Sequence, residues 1–571
     1  MNRSARSENK YSLGIDFGTN SVRALIIDLS DGSEIATAVA AYPSGEMGIL
    51  QDPANPHLAR QHPGDYLASM QSAVSQAVKT AENNSLSVSQ IAGIGVDGTG
   101  STPLPVDQNM RALGLYPQFK NNLNAQAWLW KDHSSNEEAA QITRVAAEIR
   151  PQYLQKCGGA YSSEWFFSKI FHCLKTDPEV FAAADSWIEL SDYIPALLCG
   201  IHDVRHAKRN ICAAGHKAMY NSEWGGLPDE AFLARLAPEM GTLRNRLYER
   251  AVSSDQIAGY LSAEWAEKFG LPVGLPVAVG ALDAHFGAVG AGIAEGTLVK
   301  IIGTSTCDIM VYPADGTLKD IPGVAGIVNG SVLPGYLGIE AGQSAVGDIF
   351  HWFVSRVLQG GEEMHIELSR QATELNAGQS GLLALDWNNG NRNILADHDL
   401  SGLLVGQTLH TSAAEIYRTL IEATAFGALR IIENIEECGV KIDQIINCGG
   451  IAEKNPLVMQ IYADVMNRPM KVAESAQTVA LGAAIFGGAA ALKAHPEFDS
   501  VPKIQQRVCR VKEQVFFPTP AEHNIYKKLY DLYKSLHDAF GRTGSSTGLF
   551  PIMKELLNIK RESNTRAPKF I

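Results

Sequence analysis

Apolar and polar positions alternate from Leu13 to Gly32 (LGIDFGTNSVRALIIDLSDG), with a break at Gly18-Thr19-Asn20 and a stop at Asp31-Gly32. Period-two alternation marks strands with one buried face and a Gly-rich break marks a tight turn, so the segment predicts a β-hairpin followed by a second turn. A helix is predicted around Tyr66 to Thr80, and strand character returns at Ile91 to Ser101 (IAGIGVDGTGS), running into TPLPVD. Strands, a helix and more strands predict an α/β layered architecture. Between residues 128 and 260, helical segments mix with loops such as YSSEWFFSK (161–169) and AAGHKAMYNSEWGGLP (213–228). Aromatics in loops of an α/β protein predict an exposed cleft lining.

From Leu271 the chain reads as a strand, an acidic turn and a Gly/Ala-rich helix. Thr297 to Gly316 (TLVKIIGTSTCDIMVYPADG) then repeats the opening design: apolar strand, Gly303-Thr304-Ser305, apolar strand, Asp-Gly turn. The repeat predicts two domains of related fold joined near residue 290. A helix over Ala413 to Cys438, a strand turning at INCGGIAEKN (446–455), a further helix, and ALGAAIFGGAAAL (480–492) complete the pattern. Small residues in the last segment permit close helix packing. Beyond Asn524 a helix gives way to a basic tail (Lys554, Lys560, Arg561, Arg566, Lys569), read as a solvated terminus.

Composition narrows the function classes. The 571 residues carry 48 Lys+Arg against 61 Asp+Glu, a net charge of −13, with 45% hydrophobic and 19% charged residues. At about 150 residues per domain this length suggests two to four domains, and the acidic field disfavours nucleic acid and anionic lipid. The eight cysteines (157, 173, 199, 212, 307, 438, 448, 509) form no CxxC pair and no zinc-finger spacing, so they read as buried small residues in a reducing cytoplasm. The N-terminus is polar and lacks an apolar signal core, and Val479 to Leu492 is too short to span a bilayer, which predicts neither secretion nor membrane insertion.

Two Gly-Thr hairpins facing one another would form paired backbone clamps, because small residues let amides and hydroxyls approach phosphate oxygens. Asp16 precedes the first turn where Ile301-Ile302 stands before the second; one acidic and one neutral hairpin suits a single Mg²⁺-nucleotide site, with Asp16 on the metal side. Arg23 either touches phosphate or points to solvent. Gly449-Gly450 with Asn455 reads as an approach to a base or ribose, or as a plain helix-entry turn. No G-x-x-x-x-G-K-[ST] and no protein-kinase loop with an HRD segment occurs.

GIDFGTNSVRA, VDGTGSTP, LDAHFGAVGAG, KIIGTSTCDI, EAGQSAVGD and CGGIAEKNPLVMQIYADVMNRP, in this order from Leu13 to Leu492, resemble the FGGY carbohydrate kinases of the actin-like ATPase superfamily. Within that family WLWKDHSSNEEA, YSSEWFFSK, AAGHKAMY, WGGLP, GTSTCD and ATAFGALR are more similar to the branch acting on L-ribulose than to xylulose, glycerol or gluconate kinases. The resemblance implies two actin-like (ribonuclease H-like) α/β domains with a cleft between them, at 11–290 and 295–540, and a tail at 541–571. It implies ATP- and Mg²⁺-dependent phosphorylation of the 5-hydroxyl of L-ribulose in L-arabinose breakdown, by a cytoplasmic protein with no nucleic-acid or membrane partner. A homodimer is left open, since many relatives are dimers.

By the same resemblance Asp283 is the catalytic base, against a plain helix-cap Asp. Asp97, Trp130, Lys217 and Glu340 would hold the sugar, against a core Trp, a surface Lys and a helix-cap Glu for the last three. Gly18-Thr19-Asn20 and Gly303-Thr304-Ser305 would take phosphates, and Gly449-Gly450 and Asn455 the base. Gly98 departs from the small Ser or Ala more usual in the family, and Asp132 and His133 read as loop-ordering hydrogen bonders. Other readings are a kinase for another ketose or polyol (xylulose, ribitol, D-ribulose), a non-catalytic actin-like sugar sensor, and a chaperone or filament-forming ATPase.

Overall fold

A computed structural model describes residues 10–544 and 549; the polar leader and the basic tail predicted to be solvated lie outside these residues. Strands β1 (Tyr11–Phe17), β2 (Ser21–Asp28) and β3 (Glu34–Ala41) form an antiparallel meander, helix α1 (Pro63–Asn83) covers it, and β4 (Ile91–Gly98) returns parallel to β1. After an insertion that includes α2 (Ile211–Lys217), the edge strand β5 (Ile257–Tyr260), β6 (Pro276–Ala278), β7 (Ala281–Leu282) and α3 (Asp283–Gly290) complete the half. The sheet order is β5-β6-β4-β1-β2-β3, with β7 also pairing with β4.

The second half repeats the plan. It contains β8 (Thr297–Ile302), β9 (Thr306–Pro313), β10 (Gly326–Asn329), β11 (Tyr336–Ala341), α4 (Gly347–Trp352), α5 (Ala413–Glu437), β12 (Gln444–Cys448), α6 (Gly450–Lys454), α7 (Pro456–Met466), β13 (Met470–Val472), α8 (Thr478–Ala491) and α9 (Pro520–Gly541). Its sheet order is β10-β11-β9-β8-β12-β13. Without the edge strands β5 and β10, both sheets read third-second-first-fourth-fifth, with the first three strands antiparallel and the last two parallel to the first.

The halves are joined by a helix exchange. α3, from the first half, packs on β8 and β9 of the second, while α8, from the second half, packs on β1 and β4 of the first, and α3 and α8 lie against each other. Phe286 and Phe486 stack at this crossing with ring centroids 4.5 Å apart and planes at 14°. α8 is buried on nearly all sides, which accounts for a segment with no polar face. The contact is backbone to backbone: a Cβ on Gly290 would lie 1.9 Å from the Thr478 carbonyl oxygen, and one on Gly482 would lie 1.9 Å from that of Phe286.

Two sequence expectations change. Tyr161, Trp165, Phe166 and Phe167 do not line an exposed cleft wall; they are buried in the apolar cluster of the 113–247 insertion, where aromatic area is removed from water. All eight cysteines are free thiols, but Cys199, Cys307, Cys438 and Cys509 are half-buried rather than buried. No helix among the described residues is long and apolar enough to cross a membrane. Since overpacking in a rigid core costs about 1–3 kcal/mol or more, Gly290→Ala is expected to lower the thermal midpoint by several degrees; an unchanged midpoint would show that the α3–α8 crossing has slack.

Candidate active site

Parallel pairing of β1 with β4 sets Asp16 beside Asp97, and β7 sets Ala281 against Asp97, with Asp283 two residues further on. Three carboxylates are thereby gathered at the carboxyl edge of one sheet, where open α/β folds bind ligands. Asp97 is buried and neither of its oxygens has a hydrogen-bond partner; burial, then the charges of Asp16 and Asp283, raises its pKa well above the ordinary carboxyl value. Burial likewise raises Asp16, against the opposing charge of Arg23. Arg23, left open between phosphate and solvent, is exposed and places Nη1 3.5 Å from Asp16 Oδ2. Asp283 is half-buried as the first residue of α3, following Leu282 at the cap, and its Oδ1 accepts from the Ala284 amide at 2.7 Å. Burial and the nearby Asp16 push its pKa up to about 7.

The second sheet presents the same edge without charge: Ile301 pairs with Cys448 where Asp16 pairs with Asp97. Each Gly-Thr turn closes on itself, Gly18 donating its amide to Ser21 and Gly303 to Ser305, both at 3.0 Å. Those two glycine amides are thus occupied within their own turns in this structure. The Asn20 side-chain amide donates to the Met47 carbonyl. The Thr304 carbonyl accepts from the Val346 and Asp348 amides and so ties the second turn to the start of α4.

Beyond that turn lies a groove of about 830 Å³ lined by Thr304, Asp348, Phe350, His351, His365, Tyr417, Gly450 and Asn455, among others. Gly449 has φ +92, and a Cβ there would meet the Ile302 carbonyl oxygen at 2.6 Å, whereas Gly450 has open space beside it. Asn455 spends its side-chain oxygen on capping α7, accepting from Val458 at 3.2 Å. The aromatic and imidazole walls of the groove were missed from sequence, because they come from three separate helices.

A second cavity, of about 420 Å³, opens between the hairpins and shares Thr304 and Asp348 with the groove; Thr19, Asn20, Trp130, Lys131 and Arg392 also line it. Trp130 is half-buried, and its Nε1 donates to Thr19 Oγ1 at 3.1 Å, which fixes the ring beside the first hairpin. Lys217 on α2 and Glu340 on β11 are neither a surface lysine nor a helix cap. Both are buried, and Lys217 Nζ donates to Glu340 Oε1 at 2.7 Å, joining the two halves. For Lys217, burial is outweighed by the Glu340 charge and the pKa is raised; for Glu340, burial is outweighed by Lys217 and then by His216 and His285, and the carboxyl sits well below its ordinary range. Arg392 donates to Glu164 at 2.8 Å in a second inter-half pair. Asp132 orders its loop, accepting from Arg60, the Ala59 amide and Ser134, and His133 reaches Ser163.

Residues 11–290 match the N-terminal domain, and residues 298–491 the C-terminal domain, of the FGGY family of carbohydrate kinases. The chain is 40% identical over 566 residues to a ribulokinase of Shouchella clausii, covering 96% of this chain and 98% of that one. It is 40% identical over 550 residues to a ribulokinase of Vibrio parahaemolyticus, covering 93% and 96%. Among solved structures, a xylulose kinase from Rhodospirillum rubrum superposes with a TM-score of 0.72 at 22% identity, covering 93% of this chain and 99% of that one, a likeness of fold.

The unpartnered Asp97 generates a prediction. A carboxyl whose pKa is raised on folding destabilises the folded state increasingly as pH rises, because the folded chain holds a proton that the unfolded chain has lost. Asp97→Asn should therefore stabilise the unliganded protein at pH 8, and by less at pH 5. Denaturation midpoints at the two pH values read this directly; a loss of stability at pH 8 would mean that the carboxylate is compensated.

Proposed function

The chain belongs to the FGGY family of carbohydrate kinases, and on that premise we propose that it transfers the γ-phosphoryl group of ATP to the 5-hydroxyl of L-ribulose, giving the 5-phosphate used in L-arabinose breakdown. Near-full-length identity to proteins named ribulokinase supports the sugar. The observation that carries the chemistry is Asp283, a half-buried carboxyl at the cleft with a pKa near 7, beside Asp16 and within electrostatic reach of Lys217 and Glu340.

A sugar hydroxyl holds its proton far above neutral pH, so a base must accept that proton as the bond to phosphorus forms. Asp283 does this, and its bond from the Ala284 amide keeps one oxygen occupied so that the other faces the sugar. Lys217 retains two N–H donors beyond the one given to Glu340, enough to hold a sugar oxygen. Glu340 and Asp97 accept from hydroxyls, and Trp130, fixed by Thr19, covers the apolar face of the sugar. The groove holds the nucleoside against Gly449-Gly450 and the Phe350–Tyr417 wall, with Asn455 at its edge as the cap of α7. The phosphates run past Thr304 and Ser305 towards Thr19, met by amides that follow each turn glycine.

Asp16 and Asp97 suit Mg²⁺: both are oxygen donors, their pKa values are raised, and the Asp97 oxygens lack partners. When bound there, the ion would neutralise phosphate charge. Closure of the halves excludes water and so limits idle ATP hydrolysis. Eight unpaired cysteines support a reducing cytoplasm as the setting.

A coupled ADP-release assay over pentuloses and polyols is expected to give its highest kcat/KM on L-ribulose; a higher value on xylulose, ribitol or glycerol would overturn the substrate assignment. Asp283→Asn should lower kcat by about 10²- to 10⁴-fold. Because the base works only when ionised, kcat/KM for the sugar should fall as pH drops through about 7, and Asp283→Asn should lose this acid limb. Lys217→Ala should raise the KM for sugar with little change in that for ATP; the reverse pattern would remove Lys217 from the sugar pocket.

A further inference from the structure

Behind the Lys217–Glu340 pair lies a second cluster, which shares Glu340 with the sugar pocket and adds two histidines that the proposed phosphoryl transfer leaves without a role. His216 on α2, His285 on α3 and Glu340 on β11 each offer one ligand atom within 4.8 Å of the other two, and all three residues are buried. Glu340 Oε2 stands 3.4 Å from His216 Nδ1 and 3.6 Å from His285 Nε2. Around a tetrahedral zinc ion with bonds of about 2.0–2.1 Å, neighbouring ligand atoms are about 3.3 Å apart. We propose that His216, His285 and Glu340 form a binding site for a zinc-class divalent cation, distinct from the Asp16–Asp97–Asp283 carboxylates, and that its occupancy opposes sugar binding.

Hydrogen bonding sets the ligand atoms. Ser331 donates its hydroxyl proton to the Val328 carbonyl at 3.1 Å, so its oxygen is the acceptor for His216 Nε2 at 3.0 Å. That arrangement corresponds to the Nε2–H tautomer of His216, which leaves an Nδ1 lone pair 3.4 Å from Glu340 Oε2 with no hydrogen bond between them. Two acceptors facing each other repel unless a cation or donor lies between them. Glu340 Oε2, His216 Nδ1 and both ring nitrogens of His285 have no hydrogen-bond partner.

Two imidazoles and one carboxylate favour Zn²⁺ or Co²⁺ over Mg²⁺, which takes oxygen ligands, and the Ser331 hydroxyl on the far nitrogen orients the His216 ring, a task that a carboxylate, a backbone carbonyl or water more often performs for a ligating histidine. Lys217 occupies the other oxygen of the same carboxylate. A dication on Oε2 draws that charge away from Lys217 and repels its ammonium. The opposition to sugar rests on the sugar roles given above to Lys217 and Glu340; the cation site itself does not.

The test titrates chelator-treated, full-length protein with Co²⁺. Expected are visible d–d bands of a four- or five-coordinate ion at one per chain, displaced by Zn²⁺ and not by Mg²⁺, and lost in His285→Asn and in His216→Asn while kept in Asp97→Asn. The unaltered Co²⁺ protein should also show two strongly shifted imidazole N–H proton resonances, a readout that needs no variant. Absence of bands and shifted resonances, or bands that survive both histidine substitutions, would overturn the site. Zn²⁺ should raise the KM for sugar at least tenfold with little change in that for ATP. Co²⁺ bands accompanied by an unchanged sugar KM under Zn²⁺ would overturn the coupling while leaving the cation site standing, and would separate its failure from that of the kinase reading.

Discussion

Everything at the cleft hangs on the crossing of α3 and α8, where Phe286 stacks on Phe486 and glycines let backbone touch backbone. Each helix belongs to one half by sequence and packs on the sheet of the other. A contact this close has almost no side-chain depth to rearrange, so it resists sliding of one half along the other. Asp283 is the first residue of α3. The proposed base is therefore anchored at the crossing, so any rotation of the halves about it would change the distance to the Gly303 turn more than the distance to Asp16 and Asp97.

Charge on the two sides of the cleft is arranged unevenly. Asp16, Asp97 and Asp283 crowd one edge at a cost in unliganded stability, while Lys217–Glu340 and Arg392–Glu164 cross between the halves. Buried pairs of this kind contribute little net stability, because desolvation offsets their attraction, yet losing either partner leaves an uncompensated charge. Their value here is positional. They register the halves beside the Lys217–Glu340 pair without closing the groove next to the second hairpin, whose walls are mostly apolar and come from the second half alone.

Local pattern carried a sequence reader far. Both hairpins, the strand ending in Asp97, the small-residue helix over 480–492 and the position of Asp283 at a strand-to-helix turn are all encoded within about a dozen neighbouring residues, where period and turn chemistry decide. What was lost in sequence is what depends on distant partners. Lys217 and Glu340 are separated by 123 positions, so nothing near either residue marks them as a pair. Trp165 looks like a cleft aromatic in its own segment and becomes core only because Tyr161 and the helices of the insertion close over it. The Met47 carbonyl that takes the Asn20 side-chain amide lies 27 positions away and is equally unmarked in the sequence.

The duplicated sheets also account for a single reaction centre. Equivalent register positions hold Asp16 and Asp97 in the first half and Ile301 and Cys448 in the second. Had both edges kept carboxylates, the space between the hairpins would carry negative charge on two faces, and a polyphosphate lying across it would be repelled from both by several kcal/mol at low effective dielectric. Had both been neutral, no residue would be positioned to draw a cation or to accept a proton. The repeat supplies two turns that can face one chain of phosphates, and the loss of charge from one of them gives that chain a direction, with nucleoside towards the neutral edge and reacting end towards the acidic one. On this reading the asymmetry between Asp16 and Ile301, visible in two short segments of sequence, orients the whole site.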